Sequence, residues 1–255
     1  MNGQAQVETL LASYPRRRPE LPQAHREIYV EHYRRNRAGA HGLSRIVKSL
    51  ESWMHRSIER ETSSGSVLDI GAGNLNHLPY HSGGGVYDAV EPFRELWQES
   101  PYRQRVRHIY EDVADIPAEQ QYACILSVAV LEHLTDLPAV LASSANRLQP
   151  GGTFRAGFPS EGGLLWGLAW RLTTGIEFRL RRGLDYGAIV RYEHVNTAAE
   201  IIAVLHYFFK HVDISRFPLP ASHLSFYTTA IAREPMLDRC YRFLATRATV
   251  QESQR

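Results

Sequence analysis

The chain has 255 residues, 44% of them apolar and 22% charged, with a net charge of +2. That composition excludes a disordered or fibrous chain, and the near-neutral charge argues against a polyanion-binding protein. Two cysteines, Cys124 and Cys240, exclude a disulfide framework and favour a reducing compartment. The first residues lack a basic start followed by an apolar core. No stretch nears the roughly 18 apolar residues needed to cross a bilayer, so we expect a cytoplasmic protein without a membrane span.

Residues 1–62 read as an N-terminal helical cap. They carry eleven Lys/Arg against seven Asp/Glu, a local excess of four positive charges. Pro15, Pro19 and Pro22 break the first part into extended pieces. Gln23 to Arg35 then reads as a helix carrying Ile28, Tyr29 and Tyr33. In a second helix Leu43, Ile46, Val47, Leu50, Trp53, Met54 and Ile58 recur mostly at three- and four-residue steps, an apolar stripe that must face the main domain.

A core domain follows in two pieces, residues 63–158 and 196–233. Strands are expected at Val67–Ile70, Val86–Val90, Val106–Tyr110, Tyr122–Val128 and Thr153–Phe158. A helix from Pro138 to Leu148 is stopped by Pro150-Gly151-Gly152. Strands alternating with helices give an α/β fold, a Rossmann-like doubly wound parallel sheet covered on both faces. Residues 159–195 interrupt this rhythm as an insertion that reads as a lid. It holds the apolar window from Gly162 to Trp170, followed by Arg179, Arg181 and Arg182. The core resumes at Asn196, where Thr197 and Glu200 have the spacing of a capping box. Strands at Val212–Phe217 and Leu224–Ala232 close the domain, and residues 234–255 form a C-terminal helix or tail.

The most informative stretch is Val67-Leu68-Asp69-Ile70-Gly71-Ala72-Gly73-Asn74. An apolar strand runs into a turn where two glycines bracket one small residue. Such a turn lets a ligand touch the main chain, at the end of a strand where open α/β sheets bind ligands. A second strand ends in Glu91, eighteen residues after Gly73, where a carboxylate can accept both ribose hydroxyls of an adenosine. A dinucleotide fingerprint would carry a third glycine where this chain has Asn76, and Asp69 would repel a pyrophosphate. A cationic ligand without phosphate suits that acid, and S-adenosyl-L-methionine fits.

With these motifs the chain resembles the class I S-adenosylmethionine-dependent methyltransferases of the small-molecule type, over roughly residues 64–233. Asp69, Gly71 and Gly73 match that family's first motif, and Glu91 matches its ribose-binding acid. Asp112 with Val113 occupies the places that contact adenine. Residues 123–133, which include Ser127 and Val128, resemble the fourth strand and its following loop. Leu148-Gln149-Pro150-Gly151-Gly152 matches the turn into strand five. The resemblance implies a seven-stranded, mostly parallel sheet with one antiparallel strand near the carboxyl end.

Methyl transfer from a sulfonium needs an aligned acceptor, excluded water and, for a hydroxyl acceptor, a base. His133, in the loop after the fourth strand, and His194, at the edge of the insertion, are the catalytic candidates; each also suits a plain structural hydrogen bond. The expected acceptor is a small molecule, a hydroxyl of a sugar-like or other polar metabolite. Nucleic acid is disfavoured: Ser127-Val128-Ala129-Val130 stands where exocyclic-amine methylases carry Asp/Asn-Pro-Pro-aromatic, and Cys124 lies inside an apolar strand. An RNA methyltransferase and a cofactor-binding protein without transfer activity are the rival readings.

His77 and His81 stand four apart with Pro79 between them and no third ligand in view. They read as surface polar residues, and we expect no metal. Arg16, Arg17, Arg18, Arg34, Arg35 and Arg37 suit an anionic group on the acceptor or a solvated face. The 162–170 segment walls an acceptor pocket, seals the site or forms a homodimer contact, and the sequence leaves all three open.

Overall fold

The computed structural model of the protein describes residues 3–29, 45–59 and 65–253. Seven strands form one sheet: β1 (Val67–Ile70), β2 (Tyr87–Val90), β3 (Ile109–Tyr110), β4 (Tyr122–Val128), β5 (Leu148–Pro159), β6 (Phe209–Pro218) and β7 (Ser225–Pro235). Their order is β3-β2-β1-β4-β5-β7-β6. The pairs from β3 through β5 are parallel, and β7 runs antiparallel to both β5 and β6. The chain winds from β1 outward to β3, then returns across β1 to β4. That reversal leaves a crevice beyond the carboxyl ends of β1 and β4.

The helices are α1 (Gly3–Ala12), α2 (residues 23–29), α3 (Arg45–Glu59), α4 (Arg94–Trp97), α5 (Leu137–Ala145), α6 (Leu164–Trp170), α7 (Ile176–Arg182), α8 (Tyr186–Glu193), α9 (Ala198–Phe208) and α10 (Leu237–Ser253). Strand side chains alternate between two apolar layers. Leu68, Ile70, Ile125, Phe154 and Phe158 pack with α5 and α9, and with Leu11 from α1 and Cys240 from α10. Val67, Ala89, Cys124 and Leu126 pack on the other face with Met54 and Ile58 of α3. Gly157 is what lets α3 come so close, because a Cβ there would meet Met54 Cγ at 2.6 Å. No helix among the described residues is long and apolar enough to cross a membrane.

Four local features depart from the sequence expectations. Helix α1 forms where only extended pieces were expected, because Val7, Leu10 and Leu11 give it one apolar face for the main core. Helix α5 ends at Ala145, and Pro150-Gly151-Gly152 lies inside β5 at a bulge against β4, with Gly151 at φ +76°. Strand β3 is an edge strand that pairs with β2 over Ile109 and Tyr110, while Val106 closes a short turn before it.

The fourth departure corrects the placement of His77 and His81, which are 1% and 7% exposed and not surface residues. No regular helix follows β1. Successive turns link Ala72 to Leu75, Leu75 to Leu78 and Leu78 to His81, with Leu75 at φ +67°, and both imidazoles fold back toward α3.

Helices α6 to α8 lie within residues 159–195, with a π-helical turn at Arg171–Gly175 joining α6 to α7. Phe178 of α7 and Ile189 of α8 pack with Leu21, Ile28 and Tyr29 near the N-terminus. Trp166 and Trp170 face inward against His194 and Tyr186, whereas Leu164, Leu168, Leu172, Ile176 and Leu180 are exposed. The rest of the expected 23–35 helix, Leu43, Arg34, Arg35 and Arg37 lie outside the described residues.

Asn196 knits these parts together. Its amide nitrogen donates to the Leu131 and Leu134 carbonyls at 2.8 Å each, and its oxygen accepts from the Tyr14 hydroxyl at 2.7 Å. Asn196→Ala should therefore leave a buried hydroxyl and two inward carbonyls unsatisfied. We expect a loss of about 2–4 kcal/mol, a Tm drop of roughly 5–15 °C. A Tm unchanged from the parent would show that this junction does not hold the fold.

Candidate active site

The glycine turn leaves β1 with Gly71 at φ +70° and Gly73 at φ +53°, conformations that favour glycine. The Gly71 amide donates to the Val90 carbonyl at 2.8 Å, which fixes the turn to the end of β2. A Cβ on Gly71 would collide with the Val130 γ-carbons, so the loop after β4 rests directly on the turn. A Cβ on Gly73 would meet nothing within 4 Å among the described residues, which leave open space above the main chain there.

Glu91, 6% exposed, ends β2. Its Oε2 accepts from the Gly73 amide at 2.9 Å and its Oε1 from the Phe93 amide at 3.0 Å. One carboxylate thus joins the two turns that border the crevice. Asp112 caps the short turn Val113–Asp115 by accepting from the Ala114 amide at 2.8 Å, while the Val113 side chain enters the main core. Ser127 is buried in β4 and donates to the Ile70 carbonyl at 3.3 Å; Val128 packs on the α3 face. Asp69 lies beneath the turn, where its Oδ2 accepts from the Tyr87 hydroxyl at 2.8 Å. Burial raises its pKa, against the pull of His77 and of that hydrogen bond.

The two catalytic candidates, sixty-one residues apart in the chain, meet at one place. His133 follows Val130 in the short turn Leu131–His133, and His194 caps the end of α8. Their rings meet edge to face with centroids 4.8 Å apart. The His133 Nδ1 is 3.0 Å from the Glu193 carbonyl. Arg18 clamps both loops, donating to the carbonyls of Tyr192, Glu193 and His133 at 2.8–3.0 Å. Arg16 chelates Glu200 at 2.6 and 3.1 Å and also bonds the Val195 carbonyl. These two arginines are therefore engaged internally, which removes them from the anion-binding patch; Arg17 is exposed.

Two acids complete the cluster. Glu161, just past β5, places Oε2 2.5 Å from Nδ1 of His194. Burial pushes Glu161 up to about 8, helped by the charge of Glu200. Burial likewise lowers His194 to about 4. Buried Glu132 is pushed up to about 8 by the same desolvation, and its Oε1 lies 3.7 Å from Nε2 of His133. Sequence reasoning missed Glu161. Its signal was an acid at the carboxyl end of a strand, where ligands meet such sheets. At neutral pH the Glu161–His194 pair holds one proton between a carboxylate and an imidazole. Above about pH 8 the pair loses a proton. Nδ1–H then donates to the carboxylate, and Nε2 carries a lone pair ready to accept.

Residues 30–157, half of the chain, match the methyltransferase domain family. The chain belongs to that family, as a class I S-adenosylmethionine-dependent methyltransferase. No curated protein matches it. Among solved structures it is similar to the plantazolicin methyltransferase BpumL in complex with a monoazolic desmethylPZN analog and SAH. That likeness has a TM-score of 0.56 and 14% identity, over 91% of this chain and 99% of the other. It is also similar to the N-methyltransferase NodS from Bradyrhizobium japonicum WM9 in complex with S-adenosyl-l-homocysteine, at 0.52 and 14%, over 92% and 100%. The PH0226 protein from Pyrococcus horikoshii OT3 gives 0.52 and 14%, over 75% and 93%. At these identities the likeness is one of fold.

Because the Glu161 carboxyl is raised, the pair keeps its extra proton below about pH 8 and releases it above. Imidazole NMR of His194 should show one transition near pH 8, absent in Glu161→Gln. Chemical shifts that stay flat across that range in the parent chain would contradict the pairing.

Proposed function

We propose that this methyltransferase transfers the methyl group to a hydroxyl of a small sugar-like or other polar metabolite, with His194 as the base and Glu161 as the group that orients it. The carrying observation is the Glu161–His194 contact of 2.5 Å, held beside His133 in the loop that rests on the glycine turn. A hydroxyl acceptor needs such a base, whereas a neutral amine needs none to start the displacement.

The residues of the crevice fit the cofactor. The open space above Gly73 is one that a side chain there would fill, and Glu91 is the acid best placed beside it. In this reading Gly71 and Gly73 lie against the methionine end, and Glu91 accepts from the ribose hydroxyls. The turn at Asp112 and Val113 borders the adenine, the end of β4 at Ser127 and Val128 lies behind the floor with Ser127 buried, and Asp69 lies beneath the turn. S-adenosylmethionine supplies, when bound, a methyl carbon made electrophilic by its sulfonium.

Nε2 of His194 would take the proton of the acceptor hydroxyl as that oxygen reacts, with Nδ1–H held on the Glu161 carboxylate. His133 packs against the His194 ring and limits its rotation. Trp166 covers the same ring from the insertion, and α6 to α8 close over the acceptor and exclude water. The two cysteines are free and buried, which fits a cytoplasmic location.

Paired variants test the division of labour. Glu91→Ala should weaken cofactor affinity by about 1.5–3 kcal/mol, the range for hydrogen bonds to a charged group. His194→Gln should keep that affinity and slow release of S-adenosylhomocysteine by about 100- to 10,000-fold. A panel of hydroxyl and amine metabolites, read by calorimetry and product release, checks both. Equal affinity in Glu91→Ala, or turnover on amines alone, would count against the assignment.

A further inference from the structure

His77, His81 and Glu59 form a second cluster of chemically able side chains, apart from the one assigned to transfer. It lies on the α3 face of the sheet, where Glu59 ends α3 and the two imidazoles follow the glycine turn. Nε2 of His77 is 3.3 Å from Oε2 of Glu59. Nδ1 of His81 is 3.1 Å from Oε1 and 3.4 Å from Oε2 of the same carboxylate. One nitrogen from each ring and one carboxylate oxygen all fall within 4.8 Å of one another.

From these distances we propose that Glu59, His77 and His81 bind a zinc-class divalent cation, which staples the N-terminal cap to the turn that carries Gly71 and Gly73. As hydrogen bonds, the 3.3 and 3.4 Å contacts to Oε2 are long against a usual value of about 2.9–3.0 Å, while the 3.1 Å contact to Oε1 is an ordinary one. As edges of a coordination tetrahedron they fit, since donors about 2.0–2.1 Å from a zinc ion stand roughly 3.3–3.5 Å apart. The donor set is also right in kind: two imidazoles and one carboxylate suit zinc and leave a fourth position for water.

The surroundings agree. A metal-bound imidazole hands its remaining N–H to an acceptor that fixes the ring. For His77 that partner is present, because its Nδ1 lies 3.0 Å from Nδ1 of buried His55. In the tautomer with the proton on His77 Nδ1, the Nε2 lone pair faces the Glu59 carboxylate, and a cation between them would join the two. For His81, which faces Glu59 through Nδ1, the outer Nε2 is buried with no hydrogen-bond partner among the described residues. The His77 and His81 rings are almost wholly buried and Glu59 is 13% exposed on its side chain, so solvent would reach such an ion only at its fourth position.

Cobalt(II), which replaces zinc and reports tetrahedral coordination by intense visible absorption, provides the test. The full chain, carrying no histidine tag and stripped with a chelator, is titrated with cobalt and then zinc. We expect a one-to-one absorption that zinc abolishes, that is lost in His77→Gln and His81→Gln, and that persists in His133→Gln. Zinc at about 100 times its Kd should also raise the Tm of the parent chain by roughly 5–10 °C, a gain that chelator reverses. The Tm readout needs no variant, so it stands even where a histidine substitution prevents folding. Absorption that is missing, survives His81→Gln or vanishes with His133→Gln overturns the proposal, as does a Tm indifferent to zinc and chelator.

Discussion

The missing side chain of Gly71 is the constraint on which the arrangement of this protein depends. The volume that a Cβ would take is filled by Val130, so the turn after β1 and the loop after β4 can touch. Ala129, at φ +55°, bends the chain into that contact, and its amide holds the Gly157 carbonyl at 2.7 Å. Three residues past Val130 comes His133. The same contact therefore seats the crevice that faces Gly73 and the histidine pair within one loop's reach. A left-handed backbone at Gly71 and a β-branched residue at 130 together fix what the two halves of the sheet could not fix alone.

Around that contact the chain uses internal polar bonds where a sequence reader would look for ligand-binding ones. Arg18 donates to three carbonyls on the two loops that carry His133 and His194, and Arg16 pairs with the capping-box acid Glu200. Asn196 ties Tyr14 of the cap to the His133 turn. These bonds join the N-terminal segment, α8 and the sheet loops at the place where burial raises two acids, Glu132 and Glu161, to about 8. Burial raises a carboxyl because the ionised form loses water, and this is how a site acquires a group that changes charge near pH 8.

Much of the fold was legible in the sequence. Strands β1 and β4 run over the same residues as their apolar segments, because strands covered on both faces read as continuous hydrophobic runs. The Thr197–Glu200 capping box starts α9 as its spacing predicts. The glycine turn and Glu91 were visible as a motif, and the structure joins them by one hydrogen bond. What escaped was long-range. Glu161 lies thirty-three residues from His194, and nothing local marks their contact. His77 and His81 looked exposed because the sequence around Pro79 reads as a loop, but that loop folds inward on Leu75 and Leu78, both fully buried. The cap's packing against Phe178 and Ile189 was invisible for the same reason, since periodicity names an apolar face without naming its partner.

The central claim is that the space over Gly73, bordered by Glu91, is where the nucleoside cofactor lies. A crystal structure of the chain with S-adenosylhomocysteine tests it most directly. The account predicts both ribose hydroxyls on the Glu91 carboxylate and the amino-acid end against the backbone of residues 71–73. A nucleoside bound elsewhere, or a Glu91 turned away from it, would contradict the account.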